Sequence, residues 1–376
     1  MKISEMLARE DFYTILKQTL DNNRCIFQAT DDAITITNAA ANSSLFVNAQ
    51  LNAIMSAHPS KVVVDYLKTE YNVSGSLLRR MMVKGYLFVA TTLVKKFSQK
   101  GINIKFNDGV DVDKILIYPC NKKIRLFDFG SGIVYTMLKH DFPSLYIDRE
   151  TEFRLTNHAS FIPEILDSGN GCYSEKIIDG MPLARINDAD FVSNCKDQAC
   201  NMIASLTTSD NQVNTADYIQ TLKETCLSQL KQKKAFKYSS ILANLFDTLL
   251  AVHPDEKLSL VVSHGDFQPG NIWWDNENKQ IVIIDWETVK LRSRFYDHAA
   301  LYYNLRRAGT EQQVIDKIKA SSYLASFMPM CSPETAAKIV MAEELAYQTE
   351  ELISFPNDIG IKEYKNVLET FKTLTI

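Results

Sequence analysis

The sequence predicts an α+β protein with a small β-rich part, a large helical part after it and a mainly helical extension before it. Between residues 114 and 139, apolar runs are separated by short polar turns, which predicts a three-stranded meander. From residue 187 onwards, apolar residues recur mostly with a helical period. The length of 376 residues exceeds what one hydrophobic core usually supports. We therefore predict three parts, residues 1–108, 109–180 and 181–376.

Composition and charge are typical of a soluble globular protein. Hydrophobic residues make up 46% of the chain, and the net charge of −4 gives no reason to expect nucleic acid as a partner. The seven cysteines are odd in number and scattered, which predicts free thiols in a reducing compartment. The longest apolar run, residues 86–94, is far shorter than the roughly 20 residues that cross a bilayer. With no apolar signal segment at the start, we expect a cytoplasmic protein without an integral membrane segment.

The first 108 residues contain three predicted helices and one weakly alternating segment. Helical periodicity covers residues 11–20 and 61–71, and a long third helix follows over residues 74–100. Residues 25–48 alternate weakly and predict short strands.

The long third helix begins at Ser74 or Ser76 and is capped at its end by Gly101. Basic residues alternate along it with apolar ones. One interpretation is a basic amphipathic face that makes a weak contact with an anionic surface or a lipid-linked substrate. The alternative is a solvated face on a helix that packs against the β-rich part. The basic residues are Arg79, Arg80, Lys84, Lys95, Lys96 and Lys100.

The β-rich part is predicted from alternating apolar runs and turn residues. Residues 114–120, 124–129 and 133–139 predict the three strands of the meander. A helix is predicted to open within residues 148–154. Residues 171–183 predict a further strand that runs into a turn with glycine and proline.

A polar loop between two short apolar runs is the most informative segment. Asp266 and Asn271 lie in a stretch with two glycines and a proline, just after the apolar run 258–262, so a strand delivers both side chains into a loop. After a polar turn, a second apolar run at 281–284 ends at Asp285. We predict that the two apolar runs form a hairpin with a polar mouth.

Two carboxylates and one carboxamide in this order suit the transfer of a phosphoryl group. That reaction needs charge neutralisation and in-line positioning more than covalent help. Mg²⁺ prefers one or two carboxylates together with phosphate oxygens and water, which suits Asp285 with Asn271. Asp266 is then left to act as a base. For an isolated Asp and Asn in such a loop, the alternative is a turn in which both bond to their own backbone.

This segment resembles the catalytic core of the aminoglycoside phosphotransferase and choline kinase group of protein-kinase-like enzymes. The group carries His-Gly-Asp, four intervening residues and Asn, and later Ile-Asp-Trp/Phe-Glu. Residues 264–271 and 284–287 match both motifs. The resemblance implies a bilobal protein-kinase-like fold, with a small β-rich N-lobe and a helical C-lobe.

The resemblance also implies a role for each residue of the motifs. Asp266 would be the catalytic base, His264 would brace the catalytic loop, and Asn271 and Asp285 would bind Mg²⁺. The implied reaction moves the γ-phosphate of ATP, with GTP not excluded, to a hydroxyl of a small molecule such as a sugar, an aminoglycoside or an amino alcohol. The later segment 292–297 resembles a downstream element of the group that ends in a structural Asp.

In the N-lobe, the resemblance implies a strand lysine that contacts the nucleotide phosphates and a helix glutamate that pairs with it. Lys139 closes the third predicted strand and is the candidate lysine. Glu152 is preferred over Glu150 as its partner because the apolar residues beside Glu152 can pack inward. A solvated lysine at a strand end is the alternative. The hinge, whose backbone binds adenine in this group, is implied at Glu175 and Ile177.

The first turn of the meander, residues 120–123, lacks the glycine-rich loop of protein kinases. Two arrangements remain open. Either a short covering turn uses Lys122 or Lys123 as a cationic donor, or the strands are shifted by one hairpin and residues 130–132 form the covering loop.

Residues 187–253 and four stretches after residue 297 predict the helices of the C-lobe. Acidic residues on these helices either bind a cationic acceptor or face solvent. Two other functions remain open, a protein-kinase-like modifier and a catalytically weak, nucleotide-binding regulatory module. The acidic residues are Glu343, Glu344, Glu350 and Glu351.

Overall fold

The computed structural model describes residues 3–30, 32, 34–38, 43–71, 77–98, 100–207, 211–231, 234–354 and 358–376. The predicted helix start at Ser74 or Ser76 lies outside these residues. The chain divides into two compact units, which we call the first unit (Met1–Asn187 with Trp274–Val282) and the second unit (Asp188–Trp273 with Ile283–Ile376). The first unit is rich in sheet and the second in helix, which confirms the predicted α+β fold class.

The described helices are short to medium in length and occur in both units. They are α1 Ile3–Arg9, α2 Phe12–Asn22, α3 Lys61–Glu70, α4 Leu77–Thr92, α5 Val94–Phe97, α6 Leu145–Thr156, α7 Ala189–Ser205, α8 Thr215–Lys231, α9 Ser239–Leu249, α10 Tyr296–Tyr303, α11 Glu311–Lys319, α12 Leu324–Phe327, α13 Pro333–Ser354 and α14 Asp358–Lys372.

The described strands form one large and two small sheets. They are β1 Thr35–Asn38, β2 Leu45–Asn48, β3 Ala53–Met55, β4 Lys100–Asn103, β5 Ile115–Pro119, β6 Lys123–Asp128, β7 Ile133–Leu138, β8 Asp167–Gly169, β9 Cys172–Lys176, β10 Gly180–Pro182, β11 Asn211–Asn214, β12 Lys257–Ser263, β13 Ile272–Asp275, β14 Gln280–Ile283 and β15 Lys290–Ser293.

The large sheet of the first unit has nine strands in the order β1-β4-β2-β3-β5-β6-β7-β9-β8. Its central strands β5, β6 and β7 pair antiparallel in sequence order, which confirms the predicted meander. Strand β3 pairs with β5, with Ile54 opposite Ile117, so strands from both sides of residue 108 share one sheet. The division into residues 1–108, 109–180 and 181–376 stays a prediction.

Helices from the first 108 residues cover both faces of this sheet. Successive side chains of a strand point to opposite faces, so neighbouring strand residues enter different cores. Ile54 and Ile117 pack in a core with α1 and α2, whereas Met55 and Leu116 pack in a second core with α3, α4 and α5. The N-terminal helices therefore bury apolar strand surface that would otherwise face water.

The prediction of one long helix through residue 100 is wrong. Helix α4 ends at Thr92, and Lys100–Asn103 is strand β4, which pairs with β1 and β2. Gly101 lies inside that strand and does not cap a helix. A Cβ atom at this position would lie 2.0 Å from the Ser43 hydroxyl oxygen, so the glycine permits close packing of the chain.

The predicted hairpin of the two apolar runs around the polar loop is also wrong. Strand β12, which covers the first run, lies between β11 and β15 in a sheet of the second unit. Strand β14, which covers the second run, belongs to the sheet β10-β13-β14. The intervening strand β13, Ile272–Asp275, contains two tryptophans. It lies beside β14 in the sheet, at the position where the prediction placed β12.

None of the seven cysteines, all of which lie in the described residues, forms a disulfide, and the reducing compartment stays a prediction.

An aromatic cluster surrounds His298 on α10 in the second unit. The centroid of its ring lies 4.6 Å from that of Tyr302, 4.9 Å from that of Phe327 and 5.0 Å from that of Phe295. Burial lowers the pKa of His298 from its usual value near 6.5 to about 4. The imidazole is therefore neutral in the folded protein at neutral and mildly acidic pH.

We expect His298 to make the stability of the protein fall with acidification. Below about pH 6.5 the unfolded chain protonates this histidine, whereas the folded chain does so only near pH 4, so stability is lost across that window. In His298→Gln the melting temperature should depend less on pH between pH 7 and pH 5 than in the unchanged protein. His253→Gln, which alters an exposed histidine, is the control. Equal pH dependence in all three proteins would contradict this role.

Candidate active site

The start of the polar loop is fixed by Asp297, near the N-terminus of α10. Its carboxylate accepts hydrogen bonds from the Ser263 hydroxyl at 3.0 Å and from the backbone N–H groups of His264 and Gly265 at 2.8 and 3.0 Å. Asp297 is buried, so these three donors satisfy a carboxylate that water reaches poorly. The connection from β12 into the loop is thereby held in one conformation.

His264 joins the polar loop to the segment that carries Asp285. Its ring is fully buried, and its centroid lies 4.7 Å from that of Trp286. Nδ1 accepts a hydrogen bond from the Asp266 backbone N–H at 3.3 Å, which leaves Nε2 to donate to the Ile284 carbonyl at 2.9 Å. This network assigns a neutral imidazole with its proton on Nε2.

The Asp266 carboxylate accepts hydrogen bonds from three side chains. Gln268 Nε2 lies 3.1 and 3.0 Å from its two oxygens, and Asn271 Nδ2 lies 3.1 Å from Oδ2. Arg306 Nε lies 3.3 Å from Oδ1. The side chain of Asp266 is 23% exposed, so these donors fix its orientation while part of the carboxylate stays accessible.

Asn271 is oriented so that its carboxamide oxygen is available. Its Nδ2 donates to the Asp266 backbone carbonyl at 2.8 Å as well as to the Asp266 side chain, so Oδ1 points the other way. The Asn271 carbonyl accepts from the Ile284 N–H at 3.0 Å, which brings the neighbouring Asp285 to the loop. Asp285 has the left-handed backbone angles φ 67° and ψ 55°, which are uncommon for a residue with a side chain and often occur at functional sites.

The oxygen donors of this loop supply some of the ligands of a metal ion and leave its other positions open. Among the described residues, no group of three or more His, Cys, Asp and Glu side chains could hold a metal ion alone. One carboxylate and one carboxamide leave most positions of an octahedral Mg²⁺ ion to other oxygens. Such a set suits Mg²⁺ that arrives with nucleotide phosphates and water.

Arg306 is a site residue that the sequence did not predict. Its guanidinium contacts Asp266 through Nε and the buried Glu344 through Nη1, at 2.9 Å from Oε2. The same group lies over the ring of Tyr347, 3.1 Å from the centroid, and its side chain is almost completely buried. No sequence motif links Arg306 to Asp266, which lies 40 residues earlier.

The acidic residues on α13 do not form a cluster that faces solvent. Glu343 accepts hydrogen bonds from Ser293 and Tyr218, and burial raises its pKa. Glu344 accepts from Arg306, and Glu350 pairs with Lys290. Glu343, Glu344 and Glu350 therefore bind side chains of the protein itself. This contradicts the prediction that they bind a cationic acceptor. Glu351 is half-buried.

In the first unit, the structure pairs a different lysine and glutamate from those predicted. Lys139 is buried and forms an ion pair with Glu10, and Glu152 is exposed. Lys123 on β6 instead forms a buried ion pair with Glu150 on α6, with 2.6 Å between Nζ and Oε2. On α6, Glu150 is buried and Glu152 is exposed, so position 150 lies on the inner face and position 152 on the outer face. The predicted pairing of Lys139 with Glu152 is corrected accordingly.

The two lysines of the first meander turn, Lys122 and Lys123, are buried, so neither side chain projects into solvent. Lys122 is buried, with its ammonium group 3.6 Å from the centroid of the Tyr146 ring on α6. Lys123 contacts Glu150 on the same helix. The second turn is held by Asp128, which accepts from the N–H groups of Gly130 and Ser131.

The two predicted hinge residues are engaged within the first unit. The Glu175 carboxylate is buried and forms an ion pair with Arg154, which also contacts Glu150. The backbone N–H of Ile177 donates to the Gly132 carbonyl at 2.9 Å. That N–H is therefore occupied in this structure, and contact of Glu175 or Ile177 with a nucleotide stays a prediction.

Comparison with known proteins finds a family model that matches part of the chain. The model of the phosphotransferase enzyme family matches residues 183–329, a segment that contains the polar loop and Asp285. The match confirms the resemblance to the aminoglycoside phosphotransferase and choline kinase group that the motifs indicated. None of the curated proteins compared with the chain matches it.

Solved structures with partial likeness include two aminoglycoside phosphotransferases and one amino-alcohol kinase. APH(4)-Ia is 18% identical, with 68% of this chain and 92% of that chain covered and a TM-score of 0.46. The streptomycin-ATP-APH(2")-IIa ternary complex is 13% identical, with coverages of 68% and 90% and a TM-score of 0.45. The ethanolamine kinase of Plasmodium vivax is 13% identical, with coverages of 86% and 98% and a TM-score of 0.45. At such low identities and TM-scores, these likenesses carry no argument about activity.

Proposed function

We propose that this protein is a phosphotransferase that moves the γ-phosphoryl group of ATP or GTP to a hydroxyl of a small molecule, with Mg²⁺ as cofactor. The observation that supports this most is the arrangement around Asp266. Its carboxylate is held by Asn271 Nδ2, while Asn271 Oδ1 is left for a metal ion and the backbone of Ile284 brings Asp285 to the same loop. These are the donors that phosphoryl transfer requires, and they lie in the segment that matches the phosphotransferase family.

In this proposal Asp266 orients the acceptor hydroxyl and accepts its proton late. Phosphoryl transfer passes through a loose transition state, so the proton stays on the hydroxyl until the new bond is well advanced. Asn271 Oδ1 and the Asp285 carboxylate would hold Mg²⁺. When bound, Mg²⁺ neutralises charge on the phosphate oxygens. His264 and Asp297 act as positioning residues, because they fix the backbone that carries Asp266.

For the phosphate-contacting lysine we propose Lys123 in place of Lys139. The lysine of this fold pairs with a glutamate on the following helix, and the Lys123–Glu150 ion pair has that arrangement. Lys139, by contrast, is paired with Glu10.

The acceptor class stays open among sugars, aminoglycosides and amino alcohols, and a cytoplasmic location stays a prediction. The internal pairing of Glu343, Glu344 and Glu350 removes the main argument for a cationic acceptor. A protein-modifying kinase is the less favoured alternative, since Trp286-Glu287 follow Asp285 in place of the Phe-Gly of protein kinases. A catalytically weak regulatory module is the other alternative.

A nucleotide-consumption screen tests the proposal. Purified protein is supplied with Mg²⁺ and either ATP or GTP, together with pooled sugars, aminoglycosides, nucleosides and amino alcohols. We expect consumption that depends on one pool and labelled phosphate that appears on a small molecule. Label on added protein would favour the modifier, and nucleotide binding without transfer to any pool would favour the regulatory module.

The variant Arg306→Met should separate the structural role of Arg306 from its role in turnover. Loss of the guanidinium leaves the buried Glu344 without its cation, which should lower the free energy of unfolding by about 3 kcal/mol. The double variant Arg306→Met/Glu344→Gln removes the buried charge and should regain most of that stability. Its turnover should stay low, because Asp266 lacks one of its three donors. Thermal unfolding and steady-state assays measure the two effects, and full turnover in the double variant would reduce Arg306 to a structural residue.

A further inference from the structure

An apolar surface faces solvent on α4 and the start of α5. Its five large side chains are between 40% and 69% exposed. Single exposed apolar residues are common on protein surfaces, but a contiguous group on one helix face marks an interaction site. We call this group the α4 ridge. It consists of Met81, Met82, Phe88, Val89 and Leu93.

The α4 ridge is opposite the face that packs into the protein. At about 100° per residue, Met81, Met82, Phe88 and Val89 fall within an arc of roughly 120°. Leu87 and Ala90 fall on the opposite side and are buried in the core with α3 and the sheet. The helix is therefore already anchored through its inner face, and the ridge is available for a partner.

The charges on the segment that carries the α4 ridge are of one sign. The segment Leu77–Phe97 carries five basic residues and no acidic residue, although the chain as a whole has a net charge of −4. Lys84, Lys95 and Lys96 are exposed. A cationic helix with a solvent-facing apolar ridge is complementary to a surface that is both anionic and apolar beneath its charges.

We propose that the α4 ridge docks the protein on the surface of a bilayer that contains anionic lipids. Phe88 and the methionines enter the boundary between headgroups and acyl chains, and the lysines contact lipid phosphates and carboxylates. Contact is peripheral: in the part of the chain that the structure describes, no helix is long and apolar enough to cross a membrane.

A second copy of the chain fits this surface less well. Two ridges face to face would bring two sets of five basic residues together without acidic partners from the same segment. Like charges at such short range oppose association. A dimer through α4 is therefore an outcome that would overturn the proposal.

Vesicle co-sedimentation of the full chain tests the proposal. The probes are phosphatidylcholine vesicles with and without phosphatidylserine, at low and high salt. We expect at least about tenfold more binding with phosphatidylserine, and loss of that difference at high salt. Equal binding to both vesicles, or no binding to either, would overturn the proposal. The assay needs no turnover, so its result is independent of the proposed phosphotransferase activity.

Matched variants place the binding on the α4 ridge. Phe88→Glu should abolish binding, whereas Phe236→Glu, at an exposed phenylalanine of the second unit, should leave it unchanged. Lys84→Gln/Lys96→Gln should weaken binding about tenfold or more without changing the apolar surface, which keeps the test valid if Phe88→Glu folds poorly. Binding that survives both changes would contradict the proposal. So would sedimentation equilibrium that shows a dimer without vesicles and a monomer for Phe88→Glu.

Discussion

Replacement of Asp266 by asparagine is expected to lower turnover by two to four orders of magnitude, about the contribution of a general base. Asparagine keeps the shape of the side chain but has no negative charge and only one acceptor oxygen. It would also turn an amide N–H₂ group toward Gln268, Asn271 or Arg306, all of which are donors in the structure. The acceptor hydroxyl would then lose the group that orients it and takes its proton.

Nucleotide binding should survive in Asp266→Asn, because Asn271 and Asp285 are unchanged. The measurement is steady-state transfer to the acceptor found in the screen, together with a nucleotide titration by fluorescence or calorimetry. Asp255→Asn is the matched control, since it removes a well-exposed carboxylate from the same unit and should leave turnover unchanged. Undiminished turnover in Asp266→Asn would show that Asp266 takes no part in the reaction.

The parts of the fold that the sequence predicted well are those with local signals. The meander β5–β6–β7 is encoded by short alternating runs and by turns that join neighbouring strands, so its pairing partners are close in sequence. The polar loop is similar, because Asp266 and Asn271 are five residues apart and contact each other. Patterns over ten or twenty residues were sufficient in both places.

The parts that the sequence did not predict depend on contacts between distant residues or on the phase of a helix. Arg306 reaches the Asp266 side chain, and Glu344 reaches Arg306, through tertiary packing, with no pattern along the chain to indicate either contact. The preference for Glu152 over Glu150 depends on inward packing of Phe153 and Leu155, but Leu155 is exposed. Glu150 lies instead on the buried face of α6, where Lys123 meets it.

Short strands were predicted within residues 25–48, where β1 and β2 lie, but strand β4 was missed for a further reason. Strand β4 follows the helical segment directly, and its basic first residue resembles the end of an amphipathic helix. Its strand state is fixed by pairing with β1 and β2, which lie more than 50 residues earlier. Such long-range pairing overrides local helical propensity.

Replacement of Gly265 by alanine is expected to distort the catalytic loop. Gly265 has φ +84°, a conformation that residues with a side chain rarely adopt. An added Cβ would lie 2.5 Å from Arg292 Nη1 and 2.7 Å from the Thr288 carbonyl oxygen. Neither neighbour can withdraw easily, because the carbonyl is backbone and the buried Arg292 guanidinium packs over the Tyr296 ring.

The backbone of Gly265 must therefore move, and its hydrogen bond to Asp297 and the position of Asp266 move with it. We expect the free energy of unfolding to fall by about 3 kcal/mol. Turnover should fall by about a hundredfold, since a shift of about 1 Å in a catalytic group has that effect. Thermal unfolding and the steady-state assay measure both quantities.

Gly270→Ala is the matched control for this prediction. Gly270 lies in the same loop, but a Cβ there would meet no atom within 4 Å, and no left-handed φ constrains it. The alanine at position 270 should leave stability within about 0.5 kcal/mol of the unchanged protein and should leave turnover intact. If the two variants behave alike, neither the close contact of Gly265 with Arg292 and Thr288 nor its left-handed backbone conformation sets the geometry of Asp266.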